Sequence, residues 1–212
     1  MRDEGVLDPS TIPLEAAEPL VAPWGEAERA RPRPRRRARS WVLLLIAVAV
    51  GSVLVRAYVV QTFYIPSGSM EPTLWPGQGI VVDKLAAEFG TIHTGDVIVF
   101  RASPAVAQDC AEATPDLVKR VIGLPGQSLY SEGNTIYVNY RPLAQPWPHS
   151  GPLEPAIGAP QSPIVVPRGQ YFVLGDNEAT SCDSRYWGFV PRSAIIGKVA
   201  WRVWPLSAIG GV

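Results

Sequence analysis

Residues 116–127 read DLVKRVIGLPGQ, a β-branched run that breaks on Gly123, Pro125 and Gly126. Branched side chains suit a pleated surface and the Leu-Pro-Gly-Gln ending is a turn signal, so the stretch predicts a strand running into a tight turn. Similar runs lie on both sides of it: GIVVDKL (79–85), GDVIVFR (95–101), TIYVNYRPL (135–143), PIVV (163–166), QYFVLGDN (170–177) and AIIGKVAWRVW (194–204). Long helical periodicity is absent. Short strands separated by Gly, Pro and Asn predict a mainly β domain. Residues 142–167 are rich in proline and read as a long surface loop within it.

Strand alternation puts Leu117, Lys119 and Val121 on one face of the 116–122 run, and Val118, Arg120 and Ile122 on the other. A lysine among apolar neighbours is unusual. Burial penalises the ammonium, lowers its pKa and yields a neutral amine suited to general-base work. The competing reading is a lysine whose head snorkels to water from a partly wet strand.

Upstream, residues 63–74 read FYIPSGSMEPTL. Pro66 fixes its own φ and pushes Ile65 toward extended geometry, while Gly68 permits a close backbone approach. The stretch therefore predicts a strand ending in a turn that presents two hydroxyls, Ser67 and Ser69, although an ordinary Ser/Gly/Pro loop has the same composition. Downstream, residues 175–185 read GDNEATSCDSR. Gly175, Asp176 and Asn177 form a turn signal. In an extended segment, Ser181, Asp183 and Arg185 would then point to one side; the plainer reading is a polar surface turn with one ion pair of little worth.

The chain has 212 residues and zero formal net charge, but the charge is unevenly spread. Asp3, Glu4, Asp8, Glu15, Glu18, Glu26 and Glu28 come first, and Arg29, Arg31, Arg33, Arg35, Arg36, Arg37 and Arg39 follow. Such blocks are solvated and disordered as a rule. Residues 41–55, WVLLLIAVAVGSVLV, are uncharged. With Arg56 snorkelling, the apolar stretch continues through Val60 to about the 20 residues that a bilayer needs. A buried core helix or a cleaved signal peptide are the alternatives; the absence of a small-residue cleavage site after the segment favours a retained anchor. The expected organisation is a cytoplasmic tail over 1–39, one transmembrane helix over 40–60 and an extracytoplasmic β domain over 61–212. The arginines would hold the N-terminus in the cytoplasm, in a single-pass protein of the cell membrane. The arginine run also suits a nucleic-acid arm, but beside a membrane helix topology explains it more simply, and no nucleic-acid partner is expected.

Cys110 and Cys182 both fall in the outer portion, where a disulfide could persist, and sequence alone leaves their pairing open. The two histidines, His93 and His149, are in no ligand spacing, so neither a metal site nor a histidine triad is expected. Trp75, Trp187, Trp201 and Trp204 suit either a headgroup-facing surface or the β core.

Taken in order, IPSGSMEPTL, TGDVIVFR, DLVKRVIGLPGQ and GDNEATSCDSR, downstream of an anchor, resemble the sequence boxes of the bacterial type I signal peptidases. These are membrane-bound serine proteases with a Ser-Lys dyad. The resemblance spans residues 63–185 and implies a signal-peptidase or self-cleaving-repressor-like β fold of antiparallel sheets. It implies Ser69 as nucleophile and Lys119 as general base, with Ser67 as an oxyanion donor beside the Ser69 amide. Ser181 would hydrogen-bond the lysine amine, Asp183 and Arg185 would brace that segment, and Arg120 would pair with Asp176 near Gly175. Ile65 and Pro66 would wall the substrate pockets. The implied reaction removes signal peptides from secretory preproteins after small residues of A-x-A type through an acyl-enzyme, at the lipid bilayer and without cofactor or metal.

The chain departs from the family pattern after GDN. The family commonly has an Arg-Asp pair there, whereas Glu178 and Ala179 stand here. The short interval before the last box also implies that the extra β domain of some members is absent or much reduced. A self-cleaving repressor would need a DNA-binding domain that the Pro-rich first forty residues do not resemble. A membrane-anchored β domain that only binds peptides is the reading from a different class.

Overall fold

The computed structural model describes residues 35–103, 106, 110 and 115–212. The tail expected over 1–39 thus lies outside the described residues through residue 34. The chain divides into two units, Met1–Ile46 and Ala47–Val212. Helix α1 is Arg35–Tyr58. Its side chains from Trp41 through Ile46, and those of Val48, Val50, Val53 and Val55, are exposed. Among the described residues no helix is long and apolar enough to cross a membrane. The span expected from sequence runs through Leu54 and residues 56–58, whose side chains lie outside the described residues.

The domain is built on antiparallel strands, as the alternating runs predict. Among the described residues they form two sheets. The larger contains β1 (Val60–Tyr64), β2 (Gly79–Asp83), β3 (Val97–Arg101), β4 (Asp116–Gly123), β9 (Gln170–Leu174), β10 (Val190–Pro191), β11 (Ile195–Trp204) and β12 (Gly210–Gly211). Its order is β1-β2-β11-β3-β4-β9-β10, with β12 on β11. The smaller contains β5 (Ser128–Glu132), β6 (Thr135–Val138), β7 (Arg141–Pro142) and β8 (Ile164–Val165), in the order β7-β6-β5-β8. Two short α-helices, α2 (Lys84–Glu88) and α3 (Ser184–Trp187), and 3-10 turns at Gly68–Met70, Arg192–Ala194 and Leu206–Ala208 are also described.

The continuous apolar run of β3 reflects burial on both faces. Val97 and Val99 join Ile65, Met70, Leu74, Ile80, Val82 and Val199 in one cluster. Ile98 and Phe100 join Leu117, Val121, Val173 and Val190 in another. A third cluster links the two sheets through Ile122, Phe172, Leu129 and Ile136. The Pro-rich segment differs from a pure surface loop, because Leu153 and Ile157 enter that third cluster and are fully buried. These two and Val166, spaced without periodicity, hold it down. Of the tryptophans, Trp187 packs its ring 5.8 Å from that of Phe100, whereas Trp75, Trp201 and Trp204 are half exposed.

Candidate active site

Strand β1 ends at Tyr64, and the chain turns on Pro66 into a one-turn 3-10 helix, Gly68–Met70. Met70 and Leu74 sink into the core and the Leu74 N–H donates to the Met70 carbonyl at 2.8 Å, so the turn is held from below. Ser69 stands on it, buried, and the Ser67 hydroxyl donates to Ser69 Oγ across a long 3.4 Å contact. Strand β4 supplies Lys119, which is 1% exposed. Its Nζ lies 2.7 Å from Ser69 Oγ, a hydrogen bond between residues 50 apart in sequence. The amine does not snorkel to water, and from Lys119 onward both faces of the strand are buried, Arg120 and Ile122 included.

A narrow cleft joins these groups. Ile65, Pro66, Ser67, Ser69 and Met70 line it on one side, and Asp116, Leu117, Val118 and Lys119 on the other. β4 pairs with β3 along Asp116–Arg120, but with β9 only from Arg120 onward, so the backbone of Leu117 and Val118 borders the cleft. A larger cavity of about 470 Å³, lined by Phe100, Trp187, Val190 and Ile195 among others, includes neither Ser69 nor Lys119. The narrow cleft, not this cavity, is where the serine hydroxyl and the buried lysine amine meet.

Arg120, on the opposite face of β4, makes a fork with Asp176. Nε donates to Oδ1 at 2.8 Å and Nη2 to Oδ2 at 2.7 Å, both side chains being buried. The guanidinium also donates to the Gly95 carbonyl at 2.7 Å and to Thr73 Oγ1 at 3.3 Å, and lies 5.0 Å from the Trp147 ring. Asp176 opens the last polar box. Gly175 beside it has no room for a side chain, since a Cβ there would collide with Ser181 Oγ and with the Ser69 carbonyl.

The expectation for Ser181 needs correction. Its hydroxyl is buried against Gly175 and has no hydrogen-bond partner among the described residues, so the expected bond to the lysine amine is not made. Asp183 and Arg185 also depart from an extended alternation. Asp183 caps α3, accepting from the Arg185 N–H at 3.2 Å, and a capping carboxylate starts a short helix, with the ion pair of the turn reading in place. Arg185 folds back to donate to Asp183 Oδ1 and Oδ2 at 2.8 Å each, and reaches the carbonyls of Glu154, Glu178 and Ser181. Burial disfavours the Arg185 charge, but the hydrogen bonds and charge of Asp183 outweigh it and raise the guanidinium above its ordinary value. Cys110 and Cys182 are bonded, with Cα atoms 5.7 Å apart, tying the β3–β4 connection to this box.

Three contributors carried no sequence signal beyond their turn chemistry. Asn177 donates its backbone N–H to the Ser69 carbonyl at 3.1 Å and its side-chain amide to the Gly68 carbonyl at 3.3 Å. Thr73 bridges Arg120 and the Pro148 carbonyl. Glu178, which replaces the arginine of the family pattern, is buried, and desolvation raises its carboxyl above the usual range although His149 and Arg185 pull it down. Asp183 and Asp176 push it further up. A carboxyl raised on folding destabilises the fold as pH climbs past its unfolded value, and the penalty is complete above its folded value. Glu178→Gln is therefore expected to raise Tm at neutral pH and to leave it unchanged well below about pH 4, the ordinary glutamate range. Melting curves at both pH values check this, and an equal shift at both would sink it. Among the described residues no group of His, Cys, Asp and Glu could hold a metal ion.

The family model "Signal peptidase, peptidase S26" matches residues 38–204. A signal peptidase I of Leptolyngbya laminosa is 37% identical over 156 residues, covering 74% of this chain and 74% of that protein. A signal peptidase I of Bacillus caldolyticus is 36% identical over 162 residues, covering 72% and 84%. The crystal structure of a signal peptidase I from Enterococcus faecalis V583 aligns with 51% of this chain and 96% of its own, at 31% identity and a TM-score of 0.38.

Proposed function

Because this chain belongs to the signal peptidase family, peptidase S26, and is a signal peptidase hydrolase, we propose that it works through a Ser69–Lys119 dyad and cuts preproteins after small residues at the membrane. The observation that carries this reading is the 2.7 Å contact between a buried lysine amine and a serine hydroxyl on a presenting turn. A serine hydroxyl is a weak nucleophile until a neighbour removes its proton, and burial favours the neutral amine that can do so. Lys119 takes the Ser69 proton as Oγ attacks the scissile carbonyl. The Ser67 hydroxyl and the Ser69 N–H stabilise the oxyanion. Lys119 then gives the proton to the leaving amine and activates the water that releases the acyl group. These are triad roles filled by two side chains.

The preprotein enters the cleft as an added strand along Leu117 and Val118, so main-chain hydrogen bonds set its register. Ile65, Pro66 and Leu117 crowd the cleft walls, which supports a preference for small side chains of A-x-A type. Membrane anchoring is supported by the uncharged run from Trp41 to Val55, exposed at Trp41 through Ile46 and at Val48, Val50, Val53 and Val55, and by the arginines before it, which would keep the N-terminus cytoplasmic. Half-exposed Trp75, Trp201 and Trp204 suit a domain surface turned toward headgroups.

The test is cleavage of an A-x-A preprotein in detergent by the full chain and by Ser69→Ala, with sequencing of the new N-terminus. Wild type is expected to cut directly after the small residue, and folded Ser69→Ala to leave the substrate intact. Folded wild type that binds the preprotein without cutting it would instead indicate an anchored peptide-binding module.

A further inference from the structure

We infer that Asn177 is a positioning residue that aims the backbone oxyanion donor, an inference that rests on Ser69 being the nucleophile. The Gly68–Ser69 peptide is not among the three cis bonds, all of which precede proline, so it is trans. In a trans peptide the carbonyl of one residue and the N–H of the next point in opposite directions across one rigid plane. Whatever holds the Gly68 carbonyl therefore fixes where the Ser69 N–H points.

Two donors hold it. Glu71 N–H donates at 3.1 Å along the 3-10 turn, and Asn177 Nδ2 donates at 3.3 Å from the other side of the site. A carbonyl oxygen has two lone pairs, so both of its acceptor sites are used. Asn177 also donates its own N–H to the Ser69 carbonyl at 3.1 Å, gripping the next peptide unit. The Ser69 N–H stands in the first turn of a 3-10 helix, where no acceptor exists within the turn. With its plane clamped by one asparagine, that N–H faces away from Asn177.

Asn177 is itself fixed. Its carbonyl accepts from Ser181 N–H at 3.0 Å, and Ser150 bridges its neighbours, donating to the Asp176 carbonyl and accepting from Glu178 N–H, each at 2.8 Å. The last polar box, backed by the Pro-rich segment at Ser150, thus reaches the Gly68 and Ser69 carbonyls through this residue.

A misaimed donor impairs the tetrahedral state and leaves ground-state binding alone, so the effect belongs in kcat. The experiment compares the full chain with Asn177→Ala in detergent. It reads kcat and KM on an A-x-A preprotein, affinity for a peptide aldehyde whose hemiacetal with Ser69 puts an oxygen at the donor, affinity for an uncleavable peptide, and Tm. Asn177→Ala is expected to lose about 10²-fold in kcat, the scale of a misplacement of about 1 Å, with KM and uncleavable-peptide affinity unchanged. Aldehyde affinity is expected to fall by a similar factor. Asn177→Asp, which keeps the shape without the side-chain N–H, should behave alike and serves where the alanine variant does not fold. A folded variant with wild-type kcat, or one that loses kcat while binding the aldehyde normally, overturns the inference and leaves the dyad standing. Inactivity of wild type, or activity in Ser69→Ala, overturns the reading of the site itself.

Discussion

Replacing Lys119 by methionine is expected to lower kcat/KM on an A-x-A preprotein by on the order of 10⁴-fold or more, the scale seen when a member of a nucleophile–base unit is removed. The variant should remain folded. Lys119 is 1% exposed and packs on the Leu117 and Val121 face of β4, where an unbranched apolar chain of similar length fills the space. Removing an amine that must otherwise be desolvated leaves Tm unchanged or raised. Lost turnover with retained Tm is the combination that separates a base from a packing residue. Activity within about tenfold of wild type would mean that another group takes the Ser69 proton, because the dyad scale is thousands-fold.

Asp176→Ala is expected to destabilise the domain by about 3–5 kcal/mol, the penalty for leaving one member of a buried ion pair without the other. Both side chains are at most 5% exposed, and the fork between them is bidentate. The remaining Arg120 bonds, to Gly95 and Thr73, go to neutral oxygens and cannot balance the charge. Urea unfolding measures the loss. The double variant Arg120→Met with Asp176→Leu should recover most of it, since apolar replacements of a buried pair are often neutral. A single-variant loss under about 1 kcal/mol would mean that the pair behaves like a surface bridge.

The strands were legible where burial left a mark on composition. Val97–Phe100 is buried on both faces and reads as an unbroken apolar run, while in Leu117–Ile122 it was the period of two of a strand, not a burial pattern, that sent Lys119 and Arg120 to opposite faces. Ser128–Glu132 was not legible. Its SLYSE has no β-branched residue, and Ser131 is buried because its Oγ satisfies the Ile157 N–H 26 residues away. Helix α2 escaped notice because its five residues continue directly from β2, although Asp83 caps it through the Ala86 N–H. At the site, turn chemistry and alternation are local and made Ser67, Ser69 and Lys119 candidates, while the roles of Ser69 and Lys119 came from the resemblance. Asn177 was not, since its grip on Gly68 spans 109 residues and no local pattern encodes such a partner. Asp183 stayed open between two readings for the reverse reason. A carboxylate two residues before an arginine fits a strand face as well as a helix cap, and only the backbone decides.

Strand β11 occupies the middle of the large sheet, between β2 and β3, yet it follows all the sheet's other strands in the chain except the two-residue β12. The hairpin that precedes and follows Ser69 and the strand pair that carries Lys119 therefore become one sheet only after residues 195–204 have been synthesised and have slid between them. Such non-local closure comes late in folding. A ribosome making this chain releases Ser69 and Lys119 long before the wedge that joins their scaffolds into one sheet.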